Sequence, residues 1–273
     1  MRPEDRRRLI AERLSTVGEL DHAVVAEEFD VSEMTVRRDF ELLERDGLGR
    51  RVRGGIATMV SRGYEPPMPL RMAVASEAKV AIGEAAAGLV SEGDTVVLDV
   101  GTTTLAVARA LRGRRGLTVV TPSLPIAVEL GNEPGIRLIV TGGIVRPGEL
   151  SLTGGFAEDV LRQLNCDLAF LGVAGVSARV GISDYNPDDV RVKRVILSSA
   201  RRVVALADSS KLGKVGFSTI AGLDQLDSLV TDAPATHPEL AAIAQAGLAI
   251  VQAVPAAGAG DRASAEAAQP YGA

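Results

Sequence analysis

Apolar side chains near the start of the chain recur at the three- and four-residue intervals that define one face of a helix. This pattern predicts helices over residues 4–17 and 22–29, and Val36, Phe40 and Leu43 mark the inner face of a third helix. Because each helix is short, the three must share one small core. Three short helices with a tight turn before the third predict a helix-turn-helix unit.

The third helix has a defined start and is followed by a basic hairpin. Ser32 precedes this helix, and its hydroxyl oxygen can accept a free backbone N–H. Val31 and Val36 stand at the two positions of a hydrophobic staple around that cap. We expect the helix to end near Gly47 and residues 50–55, Arg-Arg-Val-Arg-Gly-Gly, to form the hairpin. These features together predict a winged helix-turn-helix.

A different pattern begins after a proline-rich segment. Pro66, Pro67 and Pro69 fall within residues 59–75, and prolines at this density disfavour helix and sheet, so a linker is predicted. Beyond it, short apolar runs alternate with helical segments. The predicted strands are 95–100, 117–121, 137–141, 168–173, 202–207, 228–231 and 248–254. The predicted helices lie near 76–91, 104–112, 123–131, 156–164, 188–200 and 237–246.

Nearly continuous apolar strands with intervening helices predict an α/β domain with a mainly parallel sheet covered on both faces. The expected organisation has four parts. They are a winged helix-turn-helix DNA-binding domain over 1–58, a linker over 59–75, an α/β domain over 76–254 and a disordered tail over 255–273.

Composition narrows the possible functions. The formal net charge of −5 over 273 residues argues against DNA binding spread over the whole surface, so DNA contact must come from local charge. A single cysteine, Cys166, excludes an internal disulfide framework, and two distant histidines show no metal-ligand spacing. No long apolar run and no signal-peptide pattern occur. We therefore expect a cytoplasmic protein without membrane contact, metal or cofactor.

Local positive charge is concentrated on the third helix and the hairpin. The helix is expected to enter the major groove of double-stranded DNA, and the hairpin to grip the backbone or minor groove. The candidate DNA-binding residues are Ser32, Thr35, Arg37, Arg38, Arg50, Arg51 and Arg53. For Arg37 and Arg38 the alternative is ion pairing with glutamates of the same surface. Arg6–Arg8 fit either phosphate contacts or a solvated helix face.

The predicted strands end in small or polar residues, which is where ligands bind in open α/β sheets. The turn Gly101–Thr104 follows a strand and opens a helix, so its N–H groups and the helix dipole favour an anion. Lys211 can add positive charge, and Asp99 and Asp208 can accept hydrogen bonds from sugar hydroxyls. Neither a Walker A loop nor a dinucleotide fingerprint is present, so a nucleotide is not indicated.

Simpler interpretations of several of these residues remain open. A Gly-Thr-Thr turn also serves as an ordinary connection between a strand and a helix. Asn186 before Pro187 fits an N-cap with proline at the first helical position, while the alternative is a ligand contact from Lys193 on the same helix. Cys166 fits a small apolar residue that flanks a strand.

Several motifs in order resemble the DeoR family of bacterial transcriptional regulators. In the first domain they are residues 31–40, Val-Ser-Glu-Met-Thr-Val-Arg-Arg-Asp-Phe, and the segment Arg53-Gly54-Gly55. In the second domain they are residues 98–104, 118–121, 142–143, 151–154, 167–172, 192–194 and 207–211. The resemblance covers about residues 4–253.

This resemblance implies a repressor of carbohydrate-catabolism genes, with a sensor domain similar in fold to sugar-phosphate isomerases and an effector that is a phosphorylated sugar. The candidate effector-binding residues are Asp99, Gly101, Thr102, Thr103, Thr104, Ser123, Gly142, Gly143, Lys193, Asp208 and Lys211. Two departures affect the ligand. Pro122 stands where the family usually has asparagine, and Asp188-Asp189 where glutamate is commoner.

Two functional hypotheses follow from the sequence. The first is a ligand-controlled repressor, at least dimeric because operators are symmetric, in which the effector favours a conformation that no longer fits the operator. The second is a sugar-phosphate isomerase or transferase with an appended DNA-binding domain, in which Asp99 or Asp208 acts as a base.

Overall fold

The computed structural model describes residues 1–45, 47–57 and 62–254. The predicted tail over 255–273 and the predicted boundary between the first domain and the linker lie outside these residues.

The first domain folds as three helices and a small antiparallel sheet. Its elements are α1 (Pro3–Val17), β1 (Glu19–Asp21), α2 (His22–Glu28), α3 (Glu33–Arg45), β2 (Arg50–Val52) and β3 (Gly55–Ala57). The strand order is β1-β3-β2, so the hairpin of β2 and β3 is tied back to the helices through β1. A Cβ atom at Gly55 would lie 2.0 Å from the carbonyl oxygen of Leu20, so this pairing requires glycine there. The winged helix-turn-helix is confirmed.

The caps and the core of this domain follow from its sequence. Ser32 Oγ accepts the N–H of Thr35 at 3.2 Å, which confirms the predicted cap of α3. Val36, Phe40 and Leu43 are buried in one cluster with residues of α1 and α2, as their spacing predicts. The staple residue Val31 packs against the same cluster.

The second domain is built on seven parallel strands. Its elements are α4 (Met68–Ala73), α5 (Ser76–Ala87), β4 (Thr95–Leu98), α6 (Thr102–Ala110), β5 (Leu117–Thr121), α7 (Leu124–Leu130), β6 (Ile136–Val140), β7 (Ile144–Arg146), β8 (Ser151–Thr153), α8 (Gly155–Arg162), β9 (Cys166–Gly172), β10 (Gly175–Ser177), β11 (Gly181–Asp184), α9 (Pro187–Ser199), β12 (Ala200–Leu206), β13 (Ser218–Ala221), β14 (Ser228–Thr231), α10 (Pro238–Gln245) and β15 (Ala249–Gln252). The strand order in the main sheet is β15-β14-β12-β9-β4-β5-β6.

Both faces of this sheet are covered. Val96 and Leu98 belong to one buried cluster and Val97 to the other, as the alternation of side chains along a strand requires. The chain leaves β4 towards β5 and β6 on one side, whereas β9, β12, β14 and β15 extend on the other. The crevice between β4 and β9 is therefore the point where the winding direction reverses, and such points bind ligands in open α/β sheets.

Two parts of the domain differ from the predictions. The linker contains helix α4, with Pro67 as its N-cap and Pro69 at its second position, where a missing N–H costs no hydrogen bond. The inference from proline density was therefore wrong for residues 68–73. The hairpin β7–β8 and the three-stranded sheet β10-β11-β13 were not predicted either, because strands of three or four residues leave almost no periodic pattern.

Candidate functional site

The predicted DNA-binding arginines fall into two groups. Arg38, Arg50 and Arg53 are exposed and form no ion pair or hydrogen bond with any described residue. By contrast, Arg37 lies 3.1 Å from His22 Nε2 and 3.5 Å from a Glu33 carboxylate oxygen. The first group presents free guanidinium groups, which suits contacts with phosphates or base edges.

Arg51 belongs with the paired group and joins the hairpin to α3. Its guanidinium lies 3.0 Å from Glu41 Oε1, and its backbone N–H donates to Glu44 Oε1 at 2.8 Å. On α3 itself, the hydroxyl of Thr35 is 2.9 Å from that of Ser32. The alternative of ion pairing, raised for Arg37 and Arg38, thus holds for Arg37 and not for Arg38. Arg51 is paired with glutamates in the same way as Arg37.

A cavity of about 650 Å³ opens where the two domains and the linker meet. The first domain contributes Ala11 and Leu48 to its wall. The linker contributes Arg62, Tyr64, Glu65, Pro66, Leu70, Arg71 and Val74. The second domain adds residues from the carboxyl ends of β4 and β9, including Gly101 and Gly172. The cavity thus covers the reversal point of the sheet and is closed on the other side by the linker.

The predicted anion cradle lines this cavity. Gly101, Thr102 and Thr103 form part of the wall, and Gly101 has a φ of 124°, a conformation that favours glycine. Helix α6 begins at Thr102, so its first N–H groups lie at the wall. Asp208 and Lys211 also line the cavity, as the strand-end argument expected.

Three lysines give the cavity its positive charge. Lys79, Lys211 and Lys214 line the wall and form no ion pair with any residue in the described part of the chain. Burial lowers the pKa of Lys79 to about 8, with Asp208 opposing the shift. Burial also lowers the pKa values of Lys211 and Lys214, and the neighbouring cations Arg71 and Lys211, respectively, add to these effects. An anion in the cavity would relieve this crowding of positive charge.

A network of ion pairs holds the linker against the second domain. Glu65 accepts from Arg146 at 2.8 Å and lies 3.3 Å from Arg71. Arg71 also pairs with the buried Glu149, and its Nε donates to the carbonyl of Pro66 at 2.9 Å. Arg146 reaches Asp189 at 2.6 Å. The linker is therefore an ordered part of the cavity rather than a loose connection.

The predicted ligand contacts Asp99 and Lys193 lie behind the cavity wall and bind each other. Each side chain is 1% exposed, and Lys193 also lies 3.2 Å from Asp184 and donates to the carbonyl of Gly172 at 2.9 Å. Burial raises the pKa of Asp99 to about 6, against the opposing effect of Lys193. Burial acts to lower the pKa of Lys193, but the carboxylates outweigh it and hold that pKa above its ordinary value. The pair supports Gly172, which does line the cavity.

Four further candidates do not line the cavity. The hydroxyl of Thr104 donates to the carbonyl of Gly101 at 2.9 Å and is fully buried. Ser123 caps α7 by accepting the N–H of Ile126 at 3.4 Å. Gly142 and Gly143 form the turn between β6 and β7. Ser123, Gly142 and Gly143 follow the carboxyl ends of β5 and β6, on the side of the sheet away from the reversal point, whereas Thr104 lies on α6 after β4 but is turned away from the cavity.

The helix-start interpretation of Asn186 holds in the structure. Its side chain accepts the N–H of Asp188 at 2.8 Å, with Pro187 at the first helical position. Cys166 is buried at the start of β9, as expected for a small apolar residue.

Several cavity residues carried no sequence signal. Lys79 lies on α5, where a lysine usually marks a solvated face, and Arg71 and Tyr64 fall in the proline-rich segment. Tyr185 follows β11, a strand too short to be predicted. Burial raises the pKa of Tyr185 to about 12, so it stays a neutral hydrogen-bonding group. Only the fold brings these residues together, and the pattern around each one is uninformative.

Within the described ranges, no helix is long and apolar enough to cross a membrane. The same residues contain no group of three or more histidine, cysteine or acidic side chains placed to hold a metal ion.

A winged helix-turn-helix joined to an α/β domain with a ligand-sized cavity defines a ligand-responsive DNA-binding regulator. Comparison with known proteins gives the family. The DeoR-like helix-turn-helix domain matches residues 6–62, and the DeoR C terminal sensor domain matches residues 74–233. The chain belongs to the DeoR family, and it is a DNA-binding transcriptional regulator and not an enzyme. The second domain senses a small-molecule effector.

Individual relatives extend over nearly the whole chain. An uncharacterized HTH-type transcriptional regulator, YgbI of Escherichia coli K12, is 38% identical over 85% of this chain and 91% of that protein. The glycerol-3-phosphate regulon repressor of the same organism is 31% identical over 86% of this chain and 92% of that protein. Ribose 5-phosphate isomerase A of Methanocaldococcus jannaschii is 19% identical, with a TM-score of 0.37, over 49% of this chain and 52% of that chain.

Proposed function

We propose that this protein is a repressor that leaves its operator when a phosphorylated sugar or related anionic metabolite binds in the cavity between the sensor domain and the linker. The observation that carries the proposal is the composition of the cavity wall. Three lysines without ion-pair partners stand there with the N–H groups at the start of α6. A phosphate group can accept hydrogen bonds from the lysine ammonium groups and from the backbone N–H groups, and both carry full or partial positive charge.

The rest of the wall suits the hydroxyl-bearing part of such a ligand. Asp208 and Asp184 are acceptors, and Tyr64 has a buried hydroxyl without a hydrogen-bond partner among the described residues. A volume of about 650 Å³ falls within the usual range for small-molecule sites. The name of one relative, a glycerol-3-phosphate regulon repressor, supports a phosphorylated effector of this class.

The position of the cavity supports coupling to DNA. Ala11 of α1 and Leu48 line it, and Leu70 of the linker packs against the core of the first domain. A ligand that fits one arrangement of linker and first domain better than another shifts the population between them. We propose that the protein acts as at least a dimer, because one helix-turn-helix reads only one half-site of a symmetric operator.

The test uses a DNA fragment selected for binding to the wild-type protein and a panel of glycerol 3-phosphate, fructose 6-phosphate and ribose 5-phosphate. Fluorescence anisotropy follows release of the DNA, with the unphosphorylated compounds as blanks. At least one phosphorylated compound is expected to release the DNA. Lys211→Gln is expected to bind the DNA normally but to need at least tenfold more compound, as loss of about 1.4 kcal/mol predicts.

Arg179→Gln is the matched control, since Arg179 is exposed and does not line the cavity. It is expected to respond like the wild type. Release of DNA by none of the phosphorylated compounds, or release from Lys211→Gln at the wild-type concentration, contradicts the proposed site. Light scattering at working concentration tests the oligomeric state, and a monomer contradicts that part of the proposal.

A further inference from the structure

Lys79 is buried between the cavity and the end of the linker helix α4. The residue is 7% exposed, and it lines the cavity. Its Nζ donates to the carbonyls of Arg71 and Val74, the groups at which α4 ends. The carbonyls at a helix C-terminus carry partial negative charge and lack partners within the helix. Lys79 thus caps the linker helix from the sensor side.

The hydrogen-bonding capacity of this ammonium is not filled. An ammonium has three N–H donors, and two neutral carbonyls account for two of them. No carboxylate forms an ion pair with Lys79 in the described part of the chain, and a buried cation without one is costly. Asp208 attracts this ammonium without forming an ion pair, and the nearby cations Lys211 and Arg71 repel it. A further anion within reach of the third donor would therefore stabilise the charged form.

The backbone at the same junction is strained. Ala75, between α4 and α5, has a φ of 53° and a ψ of 38°, the left-handed conformation that alanine rarely adopts. Such a conformation is unfavourable for alanine and persists only where surrounding contacts hold it. The side chain of Lys79 supplies one such contact by donating to the carbonyl of Val74, just before Ala75. The first backbone hydrogen bond of α5, from the N–H of residue 79 to the carbonyl of Ala75 at 3.0 Å, holds the other side of the turn.

We propose that Lys79 is a positioning residue that links the effector to the linker helix: its third N–H binds the anionic group of the effector while the other two hold the C-terminus of α4. This inference rests on the proposed function of the cavity as an anion site. An acceptor on the third donor strengthens the other two bonds, since hydrogen bonds in a network polarise one another. The effector therefore tightens α4 against the sensor domain.

The consequence reaches the first domain through Leu70. This residue lies on α4 and packs against the core formed by α1, α2 and α3. Fixing the C-terminus of α4 fixes the angle at which the linker presents the first domain. In a dimer, that angle sets the spacing of the two recognition helices.

Hydrogen exchange of the full-length protein tests the link, with inorganic phosphate as the probe and chloride at equal ionic strength as the blank. Phosphate is expected to slow exchange several-fold in peptides that cover residues 68–75 of the wild type. Lys79→Met is expected to show no such slowing. Lys79→Arg, which keeps the charge and the donors, is expected to restore part of it.

Lys214→Met is the matched control, because Lys214 lines the cavity but forms no hydrogen bond or ion pair with the described residues of α4. This variant is expected to show the same slowing of hydrogen exchange as the wild type, but to need a higher phosphate concentration for it. Equal slowing in Lys79→Met and the wild type overturns the role of Lys79. If Lys79→Met does not fold, weaker slowing in Lys79→Arg than in Lys214→Met at saturating phosphate supports the role, and equal slowing in these two variants overturns it.

Melting temperatures separate this inference from the proposed function. If phosphate raises the melting temperature of the wild type but leaves exchange of residues 68–75 unchanged, the anion site stands and the role of Lys79 fails. If phosphate changes neither quantity in the wild type, the anion site itself fails.

Discussion

Arg6 on α1 donates from its Nε to Oδ2 of Asp39 on α3 at 2.7 Å, and both side chains are buried. The pair joins the first helix to the back of the recognition helix. Neither sequence interpretation of Arg6, a phosphate contact or a solvated face, is correct. Arg7 lies 3.7 Å from the same carboxylate, and only Arg8, paired with Glu12, is largely exposed.

Arg6→Ala is therefore expected to destabilise the first domain rather than to weaken DNA contact directly. Removing one partner of a buried ion pair typically costs about 3–5 kcal/mol, and the remaining contact of Asp39 with Arg7 at 3.7 Å places Arg6→Ala at the lower end of that range. Urea denaturation followed by circular dichroism measures this cost. Arg8→Ala, at an exposed pair, is the control and is expected to change stability by less than about 1 kcal/mol. Equal stability of the two variants contradicts the prediction.

DNA affinity is expected to depend on the arginines without partners more than on the paired ones. Arg38→Ala, as loss of a base contact, should weaken the free energy of DNA binding by about 1–3 kcal/mol. Arg50→Ala and Arg53→Ala should each lower the salt dependence of DNA affinity by the amount that about one phosphate contact contributes. Anisotropy titrations at several salt concentrations distinguish these cases. A larger loss of DNA affinity in Arg51→Ala than in any of these three variants contradicts the division between free and paired arginines.

Lys193→Met is expected to lower the stability of the sensor domain by about 3–5 kcal/mol, since Asp99 then remains as an uncompensated buried charge. Adding Asp99→Leu should recover part of that loss, because the fully buried lone charge is removed and only Asp184, which is 15% exposed, stays without its partner. Thermal melts of the single and double variants measure both effects. Normal stability of Lys193→Met with loss of the effector response identifies Lys193 as a direct ligand contact instead.

Effector affinity is expected to fall as the pH rises through 8. Burial lowers the pKa of Lys79 to about 8, and a bound phosphate dianion raises it again, so binding near this pH takes up a proton. The phosphate remains a dianion above its second pKa of about 6 and adds no opposing trend. For each proton that binding takes up, a rise of one pH unit lowers the affinity by at most about tenfold. Calorimetry in buffers of different ionisation enthalpy measures the uptake.

Lys79→Met is the control for this pH dependence and should make the fall of affinity with pH less steep. The lowered pKa values of Lys211 and Lys214 act in the same direction, so part of the slope should survive. Affinity that rises with pH in the wild type contradicts the assignment of lysines as the anion-binding groups.

The recognition helix and the parallel sheet were predictable because their signals are local and repeated. Val36, Phe40 and Leu43 recur at helical spacing, and Ser32 marks the helix start. The turn from strand to helix at residues 101–103 was predictable for a similar reason, since glycine and hydroxyl residues follow an apolar run directly.

The functions of Asp99 and Lys193 were harder to predict. Their residue types and positions suit ligand contacts, but whether two such groups face a ligand or each other depends on a distance across 94 residues of chain. The same limit applies to Ser123, which lies at a strand end yet on the side of the sheet away from the reversal point.

The sequence by itself determined the two domains, the capped third helix, the parallel sheet and the glycine turn at its edge. Hydrophobic periodicity and capping act between neighbours in the chain, so these features can be read residue by residue. Only the tertiary structure decided that residues 68–73 of the linker form a helix beside the cavity. It also decided that Lys79 both lines this cavity and binds the end of that helix. Those relationships arise from burial and from contacts between distant segments, and the free energy of a buried charge depends on what surrounds it.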